Sequence, residues 1–206
     1  MSEKTSFDKE NKTGLIIMAS GQAARFGRNK LMEHLGDRRV IDYVVSATED
    51  LGPERLLVIS DSDDGFISYC KSLQIPVLSG SHPFPNDTVK DGLLTLLKRC
   101  PDLSGVIFIP ADMPLIKKES MEAMLSSIKS NPNSIIRARF GGTEGSPVCF
   151  PKDFFDELLT LPEGCGGSHV IKNHRNALRF FEVSNECELW DIDYPADLDK
   201  ILKELC

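Results

Sequence analysis

The sequence predicts an α/β domain on a mostly parallel sheet, with helices on both faces and an antiparallel C-terminal portion. Three observations lead there. Short apolar runs at Gly14–Met18, Arg55–Ser60 and Gly105–Ile109 read as buried strands. Segments with apolar residues at helical spacing separate them, giving a strand–helix rhythm that needs crossover connections and hence parallel pairing. After Gly105 the rhythm changes to two strands joined by a glycine-rich turn, which implies an antiparallel hairpin.

In chain order, residues 1–12 are polar and read as a mobile tail. Gly14–Met18 is the first strand. Val40, Tyr43, Val44 and Ala47 set a helix over 40–50, which Gly52-Pro53 ends. Arg55–Ser60 is the second strand, and Asp61–Gly65 caps a helix through Leu73. Ile75–Leu78 is a short third strand. An irregular stretch from Ser79 to Thr88 leads into a helix over Val89–Arg99, with Leu93, Leu96 and Leu97 on one face. Gly105–Ile109 is the most apolar strand, and a helix follows over 118–130. Ser134–Phe140 and Pro147–Phe150 form the hairpin around Gly141–Gly145. A helix over 152–161, a glycine loop at 164–168, a short helix to His174, strands at 178–183 and 188–192 and a helix over 195–205 complete the chain. There is no repeat, linker or low-complexity run, so residues 13–206 form one domain.

Composition narrows the function. The 206 residues are 27% charged with a net charge of −7, which argues against a broad nucleic-acid surface. No run approaches the roughly 18 apolar residues that cross a bilayer, and residues 1–12 lack a signal-peptide core. Cys70, Cys100, Cys149, Cys165, Cys187 and Cys206 are scattered, with no C-x-x-C pair and no zinc-ligand spacing. A reducing cytoplasm is the expected location, with no membrane and no nucleic-acid partner.

Against this acidic background, residues 21–39 carry Arg25, Arg28, Lys30, Arg38 and Arg39 against Glu33 and Asp37, five minus two leaving +3. Gly21 and Gly27 bracket the start of that segment directly after the first strand. Glycines let backbone N–H groups approach an anion, and Arg and Lys add charge, a combination suited to a polyphosphate. The spacing matches neither G-x-x-x-x-G-K-[ST] nor G-x-G-x-x-G. Ligands of such sheets bind beyond the strand carboxyl ends, where the Gly21 loop, Ser79-Gly80 and Asp112 all fall. Asp112 suits Mg²⁺ or a turn cap. In Asp191-Ile-Asp193 the two carboxylates share one strand face, and Asp193 suits a metal or an N-cap for the last helix. His34, His82, His169 and His174 make no metal pattern. Gly-x-Ser-x-Gly is absent, so hydrolase chemistry has little support.

Taken together these residues resemble the MobA-like nucleotidyltransferases. Leu15-Ile-Ile-Met-Ala-Ser-Gly-Gln-Ala-Ala-Arg-Phe-Gly-Arg-Asn-Lys-Leu31 is similar to the family's opening loop, Pro110-Ala-Asp-Met-Pro114 to its Asp-Met-Pro, Gly145-Ser-Pro-Val-Cys-Phe150 to its Gly-His-Pro-Val, and Asp191-Ile-Asp-Tyr-Pro-Ala-Asp-Leu198 to its closing motif. The resemblance implies a three-layer Rossmann-like nucleotidyltransferase fold, and its nearest branches are the molybdenum cofactor cytidylyltransferases and then the guanylyltransferases. It implies that Arg25, Lys30 and Asp112 are catalytic, that Ala19, Ser20, Gly21, Arg25, Lys30, Ser79, Gly80 and Asp112 bind the nucleotide, and that Asp112 and Asp193 hold Mg²⁺. Gly145, Pro147, Cys165 and Gly166 would lie on the acceptor side. The implied substrates are CTP or GTP and molybdopterin, with a molybdoenzyme or its chaperone as a partner. The chain departs from the family at Pro85–Gly92, at Ser146 and at Cys165, all on the base and acceptor sides. Transfer to a sugar or polyol phosphate, and a silent nucleotide- or cofactor-binding role, are the competing readings.

Overall fold

The computed structural model describes residues 12–21 and 26–205. The expected tail therefore lies outside the described residues except for Lys12, as do Arg25 and Cys206. Lys12 is already tied down, its carbonyl accepting from Ser104 N at 2.8 Å and its ammonium 2.7 Å from Asp102.

The chain opens with β1 (Thr13–Ala19), a 3-10 turn at Lys30–Met32, the two-residue strands β2 (His34–Leu35) and β3 (Arg38–Arg39), and α1 (Val40–Ala47). Then come β4 (Glu54–Ser60), α2 (Asp64–Ser72), β5 (Val77–Gly80), α3 (Pro85–Arg99), β6 (Gly105–Pro110) and α4 (Lys118–Ser130). The last third holds β7 (Ile135–Phe140), β8 (Thr143–Pro151), α5 (Phe155–Leu159), α6 (Gly167–Asn173), β9 (Leu178–Glu182) and α7 (Pro195–Leu205).

Seven strands form one sheet in the order β5-β4-β1-β6-β8-β7-β9. β1 pairs in parallel with β4 and β6, β4 with β5, and β7 with β9. β8 alone runs against its neighbours, β6 and β7. Gly141 and Gly142 turn the β7–β8 hairpin at φ 53° and 96°, the left-handed region that glycine enters without a Cβ penalty. The expected parallel sheet with a C-terminal hairpin is thus observed.

Alternation along the strands splits the core in two. Leu15, Ile17, Leu57, Ile59, Ile107 and Ile109 face α1, α2, α4 and α7. Ile16, Leu56, Val58, Val106 and Phe108 face α3, α5 and α6. These residues are almost fully buried, so near-continuous apolar strands are what a sheet covered on both faces requires.

Four elements differ from expectation. The third strand is Val77–Gly80 rather than 75–78. α3 begins at Pro85, four residues before Val89, because proline suits a first helical turn and Asp87 accepts from Phe84 N at 3.1 Å. Residues 152–161 are a 3-10 turn over Lys152–Phe154 and only five α-helical residues. The strand expected over 188–192 is absent: Glu186–Leu189 is a 3-10 turn. Buried Glu188 explains it, accepting from Lys117 N, Ser184 N and Asn185 N at 3.1, 3.0 and 3.3 Å, which curls the chain around the carboxylate.

Candidate active site

Parallel pairing brings the carboxyl ends of β1, β4, β5 and β6 to one edge of the sheet, and an open cleft of about 320 Å³ lies there. Met18 to Gly21, Lys30, Leu31, Pro110 and Asp112 form one side, and His82 to Pro85 with Thr88 the other. Across its floor the Ser20 and Thr88 hydroxyls are 2.5 Å apart, joining the β1 exit to α3. A second hollow of about 340 Å³ lies on the other side of Gly21, against Gly27, Asn29, Ser60 and Asp63. The Gly21 loop therefore has open space on both flanks.

The chemistry of the cleft gathers on Ile192. Its N–H donates to the Asp112 carbonyl at 3.0 Å, and its own carbonyl accepts from the Lys30 ammonium. Lys30 Nζ also lies 2.5 Å from Asp112 Oδ2 and 3.7 Å from Asp193 Oδ1. A fully buried apolar residue thus draws the loop after β1, the loop after β6 and the segment before α7 into one contact. Lys30 is aimed by the 3-10 turn that it opens. Asn29 caps that turn, accepting from Leu31 N at 3.2 Å, and donates to Asp63 at 3.4 Å.

Asp193 was expected to serve a metal or to cap the last helix. The cap belongs instead to Asp197, whose Oδ2 accepts from Asp193 N and Tyr194 N at 2.9 and 2.7 Å. Asp193 accordingly points its carboxylate toward Lys30. Asp191 joins the group. Partial burial first, then the charges of Asp112 and Asp193, push its carboxyl above the usual range, with Lys30 opposing.

Among the described residues three carboxylates here face one ammonium, an excess of negative charge that a divalent cation would offset. Among the described residues, no set of three His, Cys, Asp or Glu side chains can hold a metal alone. Asp112 and Asp193 with substrate phosphates fit Mg²⁺ better, since that ion uses one or two carboxylates and completes its shell from substrate and water.

The folded protein holds the Asp191 proton more tightly than the unfolded chain does. Its ionised form therefore costs stability above the carboxylate range, and that cost fades as pH falls through the raised value. In chelator, Asp191→Asn is expected to raise Tm at neutral pH, with the gain shrinking on acidification. Thermal melts of both proteins across that range check this, and a gain independent of pH refutes it.

Other sequence candidates are distributed as follows. Ala19, Ser20 and Gly21 line the cleft as expected, whereas Ser79 and Gly80 sit behind its lining residues, at the end of edge strand β5. His82, from the same stretch, lines the cleft, and its buried Nδ1 has no partner among the described residues. The +3 of residues 21–39 largely disperses. Arg28 pairs with Glu33 at 2.5 Å, Arg38 donates to the Asp42 carbonyl, and Arg39 lies 4.5 Å over Tyr69. Arg25 lies outside the described residues, so Lys30 alone carries that charge into the described cleft.

The residues expected on the acceptor side lie on the same edge. Pro147 is buried in β8. At Gly145 a Cβ would come within 2.9 Å of Leu189, so glycine permits the close passage of the turn that leads to Asp191. Gly164 N donates to Asn86 Oδ1 at 2.9 Å, and Gly166 faces Pro85. The loop carrying half-buried Cys165 is therefore docked on the first turn of α3, beside the cleft. The five described cysteines are free thiols.

Fold and cleft together define a class, the α/β nucleotidyltransferases. The MobA-like NTP transferase domain family matches residues 15–178, and the chain belongs to that family. A probable molybdenum cofactor guanylyltransferase from Natranaerobius thermophilus is 30% identical over 121 residues, 59% of this chain and 57% of that protein. The bifunctional protein GlmU of Buchnera aphidicola is 22% identical over 162 residues, 77% of this chain. The chain spans 34% of the GlmU length. Among solved structures, Rv0371c of Mycobacterium tuberculosis superposes with a TM-score of 0.79 at 19% identity, covering 94% of this chain and 98% of the other. CMP:2-keto-3-deoxy-manno-octonic acid synthetase complexed with CTP gives a TM-score of 0.73 at 14% identity, covering 94% and 98%. No helix among the described residues is long and apolar enough to cross a membrane.

Proposed function

We propose that this protein transfers CMP from CTP to the phosphate of molybdopterin, releasing pyrophosphate. The observation that carries nucleotidyl transfer is the Lys30 contact with Asp112 and Asp193 at the carboxyl ends of β1 and β6. An acceptor phosphate oxygen attacks the α-phosphorus as the bond to pyrophosphate breaks. That oxygen is already ionised at neutral pH, so no strong general base is needed, and positioning and charge stabilisation do the work. Mg²⁺ held by Asp112 and Asp193 would neutralise the triphosphate. Lys30 and Arg25 hold the triphosphate and offset the charge on the departing pyrophosphate. Ala19, Ser20 and Gly21 frame the nucleotide with backbone groups, and Ser79 and Gly80 support the base side from behind His82.

Molybdopterin as acceptor is supported by the four ordered motifs and by the guanylyltransferase relative. CTP is supported by the cytidylyltransferase branch of the resemblance. Gly145, Pro147, Cys165 and Gly166 border the acceptor. A second reading, transfer to another phosphorylated small molecule, is favoured by Cys165, which stands where an acid is common in the family.

Incubation with Mg²⁺, each NTP and molybdopterin, with pyrophosphate as the readout, tests the proposal. Release is expected with CTP and molybdopterin together. Release with CTP and a polyol phosphate instead moves the acceptor assignment to the second reading. Nucleotide binding without release from any NTP and acceptor pair overturns the enzyme and leaves a silent accessory role.

A further inference from the structure

On the α3 face of the sheet, a row of side chains leaves the cleft and crosses the strands at one level. Met18 pairs with Pro110. Phe108 pairs with Val148, where the β6–β8 pairing ends. Arg139 pairs with Glu144 on one side and with Glu182 on the other, and Arg137 with Val148 and Phe180. Ile135, Val148 and Leu178 fix this face, since they pack with the α3 helix. Residues two apart share a face, so Arg137 and Arg139 do as well, and Glu144 joins them as the cross-strand partner of Arg139 beyond the register shift in β8.

At the far end of the row two guanidinium groups converge on one carboxylate. Glu144 accepts from Arg137 Nη1 at 2.7 Å and from Arg175 Nη1 and Nη2 at 3.1 and 2.8 Å. Arg137 Nε also donates to the Gly145 carbonyl at 3.0 Å, inside the acceptor strand. Arg139 lies over Phe180 and pairs with Glu182 at 2.5 Å. Three arginines against two glutamates leave +1, in a protein whose net charge is −7. Arg175 is 56% exposed, so the group opens to solvent. Strands are about 4.8 Å apart, and the two steps from Phe108 through Val148 to Arg137 put the group about 10 Å from the carboxyl-end portion of β6.

We propose that Arg137 and Arg175, with Arg139 beside them, form an anion subsite for the acceptor, and that Glu144 occupies it when no acceptor is bound. The acceptor then carries a second negatively charged group about 10 Å from its reacting phosphate, by the same strand spacing. Two forked guanidiniums provide planar, bidentate recognition that a lysine could not. The assignment of the group to an acceptor rests on the nucleotidyl transfer proposed above.

Titration with inorganic phosphate at constant ionic strength, in saturating Mg²⁺ and CTP, tests the subsite without requiring turnover. Arg175→Gln is expected to weaken phosphate binding about tenfold, the size of one lost charge-assisted contact, with CTP affinity and Tm unchanged. Glu144→Gln is expected to strengthen it by clearing the occupied arginines. With molybdopterin as substrate, Arg175→Gln should raise its KM while leaving kcat and the KM for CTP intact. Phosphate binding that is absent in the wild type, or unchanged in Arg175→Gln, overturns the subsite even if nucleotidyl transfer stands. Absence of turnover with intact, Arg175-dependent phosphate binding upholds the subsite and counts against the acceptor reading instead.

Discussion

Asp112→Asn is expected to reduce nucleotidyl transfer by about a thousandfold or more, which corresponds to several kcal/mol of charge stabilisation at the reacting phosphate. The substitution keeps the shape of the side chain and deletes its charge. Its backbone role survives, since the Asp112 carbonyl still accepts from Ile192 N and Ala111 N still donates to the Met18 carbonyl at 3.0 Å. The fold should therefore persist, with Tm near that of the wild type. What is lost is one of the two carboxylates proposed to hold Mg²⁺ against the triphosphate, together with the 2.5 Å partner of Lys30. Pyrophosphate release in saturating CTP, Mg²⁺ and molybdopterin measures the effect. Turnover close to wild type would remove Asp112 from the metal and leave it as a turn residue. Asp191→Asn is the control, because Lys30 pairs with Asp112 and Asp193 and not with Asp191, and its loss should be much smaller.

The fold was legible because burial on two faces and crossover connections leave strong marks. Apolar runs such as Gly105–Ile109 cannot be amphipathic helices, and the parallel pairing follows from their alternation with helical segments. Local chemistry that competes with periodicity was not legible. Residues 188–192 carry a strand-like pattern, yet Glu188 gathers three backbone N–H groups and makes a turn. Pro85 did mark the start of α3, but its Pro83-x-Pro85 surroundings read as loop. In the site, Asp112, Asp193 and Lys30 were legible as residue types after strands, and the structure brings all three together. Ile192, which clasps them, left no signal, being one apolar residue between two acids. Likewise the Arg137–Glu144–Arg175 contacts span 31 residues from Glu144 to Arg175, which no local pattern records. The charge count over 21–39 misled for a physical reason, since Arg28, Arg38 and Arg39 spend their guanidiniums on Glu33, a carbonyl and an aromatic face.

Lys30→Met tests the same centre from the cationic side. Methionine preserves most of the aliphatic length and removes the ammonium that stands between Asp112 and Asp193. With Asp191 nearby, three carboxylates then share the site without the Lys30 ammonium. Lys30 and Asp112 are 15% and 18% exposed, between the surface and buried limits, so a loss of about 1–3 kcal/mol is expected in chelator. Mg²⁺ should recover much of that loss, because a divalent cation can neutralise the carboxylates that lysine no longer serves. The Mg²⁺-induced rise in Tm is thus expected to be larger in Lys30→Met than in the wild type. Turnover should not recover with it. In the proposed mechanism the ammonium also offsets the charge on the departing pyrophosphate, so its removal is expected to lower kcat/KM about a hundredfold, in the range of one lost charge-stabilising donor. Melts in chelator and in Mg²⁺, run beside pyrophosphate assays, separate these two roles. An unchanged Tm in chelator would mean that the three acids do not repel at this distance. Restored turnover in Mg²⁺ would mean that Lys30 serves only to neutralise Asp112 and Asp193, and that the triphosphate is held by other groups.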